Sequence, residues 1–212
     1  MSRVFRYITK QLLILHNALY RLISLCAIKA ENGLHPKHRL MNYHQFFLDH
    51  ISPNDYVLDI GCGNGALAFD LAKKARRVVG IDTNQKHQTS WQDRFSAPNL
   101  LYLIANATTF VPEQTFNVVV LSNVLEHIEH RIEFLKKIKH LAPIVLIRVP
   151  MIDRDWITLY KKELGIEYRL DKTHLIEYTL VTFQMELTSA GFHLKTTSIQ
   201  FGEIWAIVTT NP

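Results

Sequence analysis

The stretch that most restricts this chain is Val57 to Asp82, VLDIGCGNGALAFDLAKKARRVVGID. An apolar run meets three glycines at alternate positions, Gly61, Gly63 and Gly65, then a helical pattern, then a second apolar run ending in an acid. Strand, glycine loop and helix in that order turn backbone N–H groups toward a helix N-terminus, which suits an anionic ligand. Glycines let such a ligand approach the main chain closely.

The remainder of the chain continues the alternation. Strands are expected at Tyr56–Ile60, Arg77–Ile81, Leu100–Ile104, Phe116–Leu121 and Ile144–Val149. Helices are expected at Gly65–Ala75, Asn84–Phe95 and Ile128–Leu141. This order implies an α/β fold, a doubly wound and mostly parallel sheet with helices on both faces. A helix over Thr179–Ala190 ends at Gly191, and Phe192–Gln200 with Ile204–Thr210 reads as a closing hairpin. Before the sheet, helices are expected over residues 3–29 and over Lys37–Ile51, the second opened by Pro36, with a turn at Ser52–Asp55. The domain plan is a helical cap over 1–51 and a main domain over 52–212, with an irregular lid at about 150–178.

Composition narrows the partners. Lys and Arg number 24 against 19 Asp and Glu. The surplus of five equals Arg3, Arg6, Lys10, Arg21 and Lys29, so residues 31–212 balance. A core without local surplus argues against DNA and disfavours RNA. Two cysteines, Cys26 and Cys62, form neither a disulfide framework nor a zinc spacing, which points to a reducing, cytoplasmic setting. The apolar stretch Gln11–Ile28 is interrupted by His16, Asn17 and Arg21, and is read as falling short of a spanning helix. Its stripe Val4, Ile8, Leu12, Leu15, Leu19, Leu22 and Cys26 recurs at helical spacing, with four of the five basic residues largely off it. Two roles fit that pattern. It can pack as a lid or dimer element in a monomer or homodimer, or it can lie on the inner membrane surface with its charges toward anionic head groups.

Two ligand classes compete for the glycine loop. Gly61, Gly63 and Ala66 fit G-x-G-x-x-G/A, and Asp82 lies where a ribose-binding acid of a dinucleotide site would stand. That reading makes the chain an NAD-dependent oxidoreductase. Two details favour another class: Asp59 two residues before the first glycine, and the later run Phe116-Asn-Val-Val-Val-Leu-Ser-Asn-Val-Leu-Glu-His-Ile128. Together they resemble the class I S-adenosylmethionine-dependent methyltransferases, in their broad small-molecule group. The resemblance is good over Tyr56–Val149 and looser to the end. It implies a seven-stranded sheet whose last strand is antiparallel, and S-adenosylmethionine as cofactor, leaving as S-adenosylhomocysteine.

Carried over by position, the resemblance implies that Asp59, Gly61 and Gly63 line the methionine end of the cofactor and that Asp82 accepts the ribose hydroxyls. Asn106 stands beside the adenine amino group where an acid is usual, Asn117 replaces the usual Asp after Phe, and Ser122 and Asn123 face the methyl group. Cys62, Thr83 and Ala107 flank these positions. Two clusters could remove an acceptor proton: Glu126-His127-Ile128-Glu129-His130, led by His127, and Tyr168–Tyr178, where His174 stands first and Glu177 and Tyr178 assist. Small-RNA 2′-O-methyltransferases hold a metal with a similar Glu-x-x-Glu-His, but Asn123 replaces the first Glu, so no metal is assigned. Arg148, Arg154 and Arg169 are candidate anion contacts, and Trp156 with Tyr160 is read as lid core. The expected reaction is methyl transfer to a small or lipid-linked metabolite at oxygen. The alternatives are a metal-assisted RNA 2′-O-methyltransferase, a non-catalytic cofactor-binding regulator and the oxidoreductase.

Overall fold

The computed structural model describes residues 2–33 and 35–211. Seven strands form one sheet: β1 Tyr56–Ile60, β2 Arg77–Asp82, β3 Leu100–Ile104, β4 Val118–Ser122, β5 Ile144–Pro150, β6 His193–Gln200 and β7 Glu203–Thr209. Their order is β3-β2-β1-β4-β5-β7-β6, and β7 alone runs against the rest. The expected doubly wound sheet with a reversed last strand is what forms. The chain winds outward from β1 to β3, then crosses back to lay β4 on the other side of β1. The crevice at that reversal, outside the carboxyl ends of β1 and β4, is where ligands sit in open α/β sheets.

The central strands β1, β4 and β5 are rich in β-branched residues and almost wholly buried, as both faces are covered, whereas the edge strands β3 and β6 are largely exposed or half-buried. One face takes Leu58, Ile60, Val119 and Leu121 against Phe134, Leu135 and Ile138 of α6 (Arg131–Ile138) and Phe183 and Leu187 of α8 (Leu180–Ala190). The other takes Val57, Val78, Val118 and Val120 against Phe47 of α3 (Tyr43–Asp49) and Leu71 of α4 (Ala66–Ala72). Asn117 pins the start of β1 to β4: its Oδ1 accepts from Tyr56 N at 2.8 Å and its N donates to Tyr56 O. A Thr179–Thr182 capping box opens α8, and Gly191 closes it in the left-handed region.

Several boundaries differ from expectation. Lys37–Ile51 is two helices, α2 (Lys37–Met41) and α3, because Asn42 sits at φ 47°, a conformation Asn tolerates better than most residues. Asn84–Phe95 is a 3₁₀ turn, Gln85–His87, followed by α5 (Gln88–Asp93). The lid is not wholly irregular: α7 (Trp156–Glu163) forms there, capped by Asp155, whose Oδ1 accepts from Thr158 N at 2.6 Å. Trp156 is exposed and 6.2 Å from the Tyr160 ring, so this pair is no buried lid core.

The N-terminal helix α1 (Ser2–Ala30) gives the largest correction. By length and composition it is the one helix among the described residues apolar enough to cross a membrane, with a mean hydropathy of 1.4 in its best window. Its apolar stripe faces away from the folded domain. The residues it turns toward the protein are Thr9, Lys10, Leu13, Asn17, Ser24, Ala27 and Ile28, a mainly polar or small-residue stripe. Asn17 Nδ2 donates to Glu167 O at 2.7 Å, and Lys161 Nζ donates to Asn17 Oδ1 at 2.7 Å. The apolar stripe, Val4, Ile8, Leu12, Leu15, Leu19 and Leu22, points outward and is 44–61% exposed. It supplies no packing face to the sheet.

The glycine loop is fixed from β3 and α5. Trp91 and Tyr102 stack with centroids 4.8 Å apart, and they donate to Gly63 O and Gly65 O. Gly65 has φ +90°, and a Cβ there would stand 2.5 Å from Tyr102 Oη and 2.8 Å from Trp91 Cδ1. Gly165 has φ +69° with nothing within 4 Å of such a Cβ. Gly65→Ala is therefore expected to cost about 2–4 kcal/mol from strain and overpacking together, and Gly165→Ala only about 1 kcal/mol from backbone strain. Urea unfolding of the two variants measures the difference, and equal losses would contradict the close packing around Gly65.

Candidate functional site

The site lies at the carboxyl ends of β1, β2 and β4. Gly61, Gly63 and Gly65 all have positive φ, which folds the loop tightly enough for Gly61 N and Cys62 N to donate to Ile81 O. Val124, just past β4, closes over Gly61, where a Cβ would come within 2.7 Å of its Cγ2. Above Gly63 the space is open, with nothing within 4 Å of a built Cβ. Asp82 ties the loop to β2: its Oδ2 accepts from Gly63 N at 2.9 Å and its Oδ1 from Asn84 N at 2.8 Å. Each carboxylate oxygen retains a second lone pair for a ligand hydroxyl.

Apart from His44 Nε2, every buried side-chain polar atom without a hydrogen-bond partner among the described residues belongs to Asp59, Asn123, Glu126 or Arg148. All four residues lie on β1, on β5 or just after β4. Buried polar groups are ordinarily paired, because an unpaired one costs on the order of 1–3 kcal/mol. Such a concentration at the sheet's switch point is what a site shaped for a polar, charged ligand shows. Asp59 is 1% exposed, and burial, reinforced by the Asp82 charge, pushes its carboxyl up to about 8. Burial likewise pushes Glu126 up to about 8, against the opposing pull of its own backbone and of Arg148. A ligand cation beside Asp59 would reverse that cost.

The remaining cofactor positions fall as follows. Cys62 is buried, and burial raises its thiol far from reactivity. Ser122 and Asn123 are half-buried at the end of β4, with Asn123 held at φ +57° and donating from N to Arg148 O. Asn106 and Ala107 follow β3, and Thr83 is exposed beyond β2. Asn106 Oδ1 already accepts from Thr108 N and Thr108 Oγ1, both at 2.9 Å. Its carbonyl is engaged in a turn, so an adenine amino group would have to displace the threonine hydroxyl.

The two histidine clusters come together. His127 ends a 3₁₀ turn, Leu125–His127, and its ring meets that of His174 edge-on with centroids 4.8 Å apart. His127 Nδ1 is 3.0 Å from Thr173 Oγ1, and that hydroxyl donates to Asp171 Oδ1 at 2.8 Å. Desolvation and the neighbouring His174 lower the His127 pKa, so its ring is neutral at pH 7. His174 is buried, with Nδ1 3.2 Å from Glu177 Oε1. Burial alone would raise Glu177, yet His174, Arg154 and Leu170 N hold its carboxyl below the usual range. Tyr178 does not join them. It is fully buried with its hydroxyl donating to Glu186 Oε2 at 2.8 Å, on the α8 side of the sheet.

The three arginines proposed as anion contacts are all paired internally: Arg154 with Glu177, Arg169 with Glu167 and Arg148 with Glu203. Arg148 is only partly satisfied. Its Nε is 2.7 Å from Glu203 Oε2 but badly aligned for a hydrogen bond, and its Nη1 has no partner. Glu126, Trp91 and Tyr102 are site residues that sequence reasoning did not single out in their present roles. The aromatic pair carries no sequence signal separate from ordinary core, whereas Glu126 is an acid within an otherwise apolar run.

A parallel sheet with a reversed seventh strand, a glycine loop at its switch point and unsatisfied acids beside that loop define a class I methyltransferase fold with a nucleoside-type site. Comparison with known proteins agrees. A family model described as a methyltransferase domain matches residues 34–197. The chain belongs to that family, the class that draws its methyl group from S-adenosylmethionine. It is 28% identical over 124 residues to a probable cobalt-precorrin-6B C(15)-methyltransferase of Methanococcus maripaludis, covering 57% of this chain and 66% of that one. It is 30% identical over 117 residues to a ubiquinone biosynthesis O-methyltransferase of Bradyrhizobium diazoefficiens, covering 54% and 46%. The matches thus span from under half to about two thirds of these relatives' lengths. Among solved structures, magnesium protoporphyrin IX methyltransferase from Synechocystis with bound S-adenosylhomocysteine aligns with a TM-score of 0.62 at 18% identity, over 82% of each chain. An N-methyltransferase from Bradyrhizobium japonicum, also with S-adenosylhomocysteine, aligns with a TM-score of 0.61 at 14% identity, over 81% and 87%. These last two show the shared fold.

An acid whose folded pKa is raised binds its proton more tightly folded than unfolded. Asp59 therefore costs no stability at pH 4 or below, and its cost grows as pH rises toward about 8. Asp59→Asn should leave the cofactor-free protein about as stable as wild type at pH 4 and more stable, by on the order of 2–4 kcal/mol, at pH 9. Urea midpoints at the two pH values measure this; a gain independent of pH would contradict it.

Proposed function

We propose that this chain transfers the methyl group of S-adenosylmethionine to a hydroxyl oxygen of a small apolar or lipid-linked acceptor, at an anionic membrane surface. The unsatisfied polar atoms at the ends of β1 and β4 support the cofactor assignment. Asp59 takes the cofactor's ammonium, the open space above Gly63 receives its methionine end, and the free lone pairs of Asp82 take the ribose hydroxyls. Asn106 and Ala107 border the adenine, and Ser122 and Asn123 border the transferring methyl.

Bound there, the cofactor supplies an electrophilic methyl group on a good leaving group. The protein's part is to align the acceptor and to help its hydroxyl release a proton. The acceptor oxygen would exchange its proton for that methyl group, with the thioether S-adenosylhomocysteine as the other product. Neutral His127, exposed beside the end of β4 with His174 behind it, is the side chain on hand to assist that release.

The observation that carries the acceptor class is α1. Twelve large apolar side chains of this helix are exposed, and Arg3, Arg6, Lys10, Arg21 and Lys29 accompany them without an acid. Each such side chain gains about 1.5–3 kcal/mol on full burial, and a bilayer boundary offers it together with anionic head groups for the cations. Asn17 and Lys161 tether the helix midway along its length to the folded domain, so it lies alongside that domain, as an interfacial helix does.

Methyl-labelled S-adenosylmethionine, incubated with the protein and a cell extract, tests the reading. Label should enter the organic-solvent fraction. Label in the small aqueous fraction would refute a lipid-linked acceptor, and label in RNA would replace it with the nucleic-acid alternative. Cofactor binding without label anywhere would favour a regulatory role. The full chain should float with anionic vesicles and not with neutral ones; a vesicle-independent dimer held by α1 would put a second copy in the bilayer's place. Asp82→Ala should weaken cofactor binding by about 1–3 kcal/mol in calorimetry, and unchanged affinity would remove Asp82 from the site.

A further inference from the structure

Glu126, His127 and His174 each turn a ligand-type atom toward the others, and the three atoms lie within 4.8 Å of one another. The residues come from two segments, one just past β4 and one preceding α8. Leu175 N donates to Glu126 O at 2.7 Å and so locks the segments together at this point. Glu126 is fully buried with both carboxylate oxygens unpartnered, while His127 reaches the surface.

The hydrogen bonds around the rings settle which nitrogen is free. Thr173 has one hydroxyl proton and gives it to Asp171, so it must accept from His127 Nδ1–H. Glu177, an ionised carboxylate paired with Arg154, can only accept, so His174 Nδ1–H donates to it. In the neutral form of each imidazole, these bonds make Nε2 the nitrogen with the unshared pair. Metal-binding histidines characteristically donate their second nitrogen to a carboxylate or hydroxyl in this manner, which orients the ring and raises its basicity. Nothing else in the protein uses the two Nε2 atoms or the two Glu126 oxygens as hydrogen-bond partners among the described residues.

We propose that Glu126, His127 and His174 bind a divalent first-row transition-metal ion and leave coordination positions open for the acceptor's hydroxyl oxygen. Two imidazoles and one carboxylate form a donor set that suits zinc and its first-row neighbours, and a three-ligand protein site is the open kind found where substrate also binds. The ion would relieve the unpaired burial of Glu126. It would also lower the pKa of a bound hydroxyl, so that its proton passes to solvent as the oxygen attacks the methyl carbon. His127 then assists the hydroxyl by holding the ion, not by taking the proton itself. This role in the reaction rests on the methyl-transfer reading above; the binding of the ion does not.

Cobalt(II) and zinc(II) are the probes. Titrating the full chain with Co²⁺ should develop visible d–d absorption at one equivalent, and Zn²⁺ should displace it. Glu126→Gln, which keeps the side-chain shape, and His174→Ala should each weaken Co²⁺ binding by about 100-fold or more, and Glu177→Gln by about 10–100-fold. Circular dichroism confirms that each variant folds, and S-adenosylmethionine affinity is measured on each. No Co²⁺ spectrum, or one unchanged in folded Glu126→Gln and His174→Ala, overturns the site; the latter would assign the ion to other residues among the 11 histidines. Loss of Co²⁺ binding with cofactor affinity retained supports it. A wild type that binds Co²⁺ but never S-adenosylmethionine would keep the site and discard the methyl-transfer reading.

Discussion

Much of the structure is arranged around an acid that the core does not satisfy. Asp59 lies next to the end of a buried strand and is 1% exposed, with an oxygen that no protein group hydrogen-bonds. Leaving it there costs free energy in the empty protein, and the surrounding packing must hold it in place. Two hydrophobic layers do so from either face of the sheet, while Val124, Trp91 and Tyr102 fix the glycine loop beside it. Those contacts hold the Asp59 carboxyl in place without giving its Oδ2 a hydrogen-bond partner.

The same economy of partners recurs one strand away. Glu126 is as buried as Asp59 and likewise unsatisfied, but the imidazoles of His127 and His174 lie near it, with Arg148 also within electrostatic reach. An acid beside open space above a glycine suits an ammonium; an acid beside two imidazoles suits a metal ion. The local donor set, and not burial alone, separates the two roles. Between them stands Asn123 at φ +57°, a conformation that turns the chain sharply as β4 ends and sends Val124 over Gly61 before Glu126 follows. One positive-φ residue thereby places Val124 over the glycine loop and sets Glu126 on the same edge of the sheet.

What could be read in the sequence follows from the range of the interactions concerned. The glycine loop, the buried strands and the Thr179 cap are local patterns, and they appear where residue spacing puts them. The break at Asn42 was less legible, because a left-handed Asn looks like any other polar residue until its neighbours fix its φ. His127 and His174 were both recognisable as candidates, yet their meeting was not, since the rings come from separate segments and Thr173, the hydroxyl that bonds His127, stands 46 residues away from it. Tyr178 shows the reverse case. Spacing put it within reach of His174, but the isolated bridge between Met151 and Tyr178 extends the sheet and turns the ring toward Phe183 and Glu186.

The α1 helix makes the same point about direction. Periodicity established that an apolar stripe exists, and a stripe is ordinarily the face that packs inward. Here Asn17, bonded to Glu167 and Lys161, anchors the opposite face, and polar bonds to a lid segment decide the orientation. Those bonds join α1 to the segment that also carries Arg169 and, farther along, His174. Arg169 donates from Nη1 to His174 O, so the helix, the lid and the second histidine form one mechanically linked series. A surface that draws α1 onto itself therefore acts on the segment that completes the Glu126 cluster.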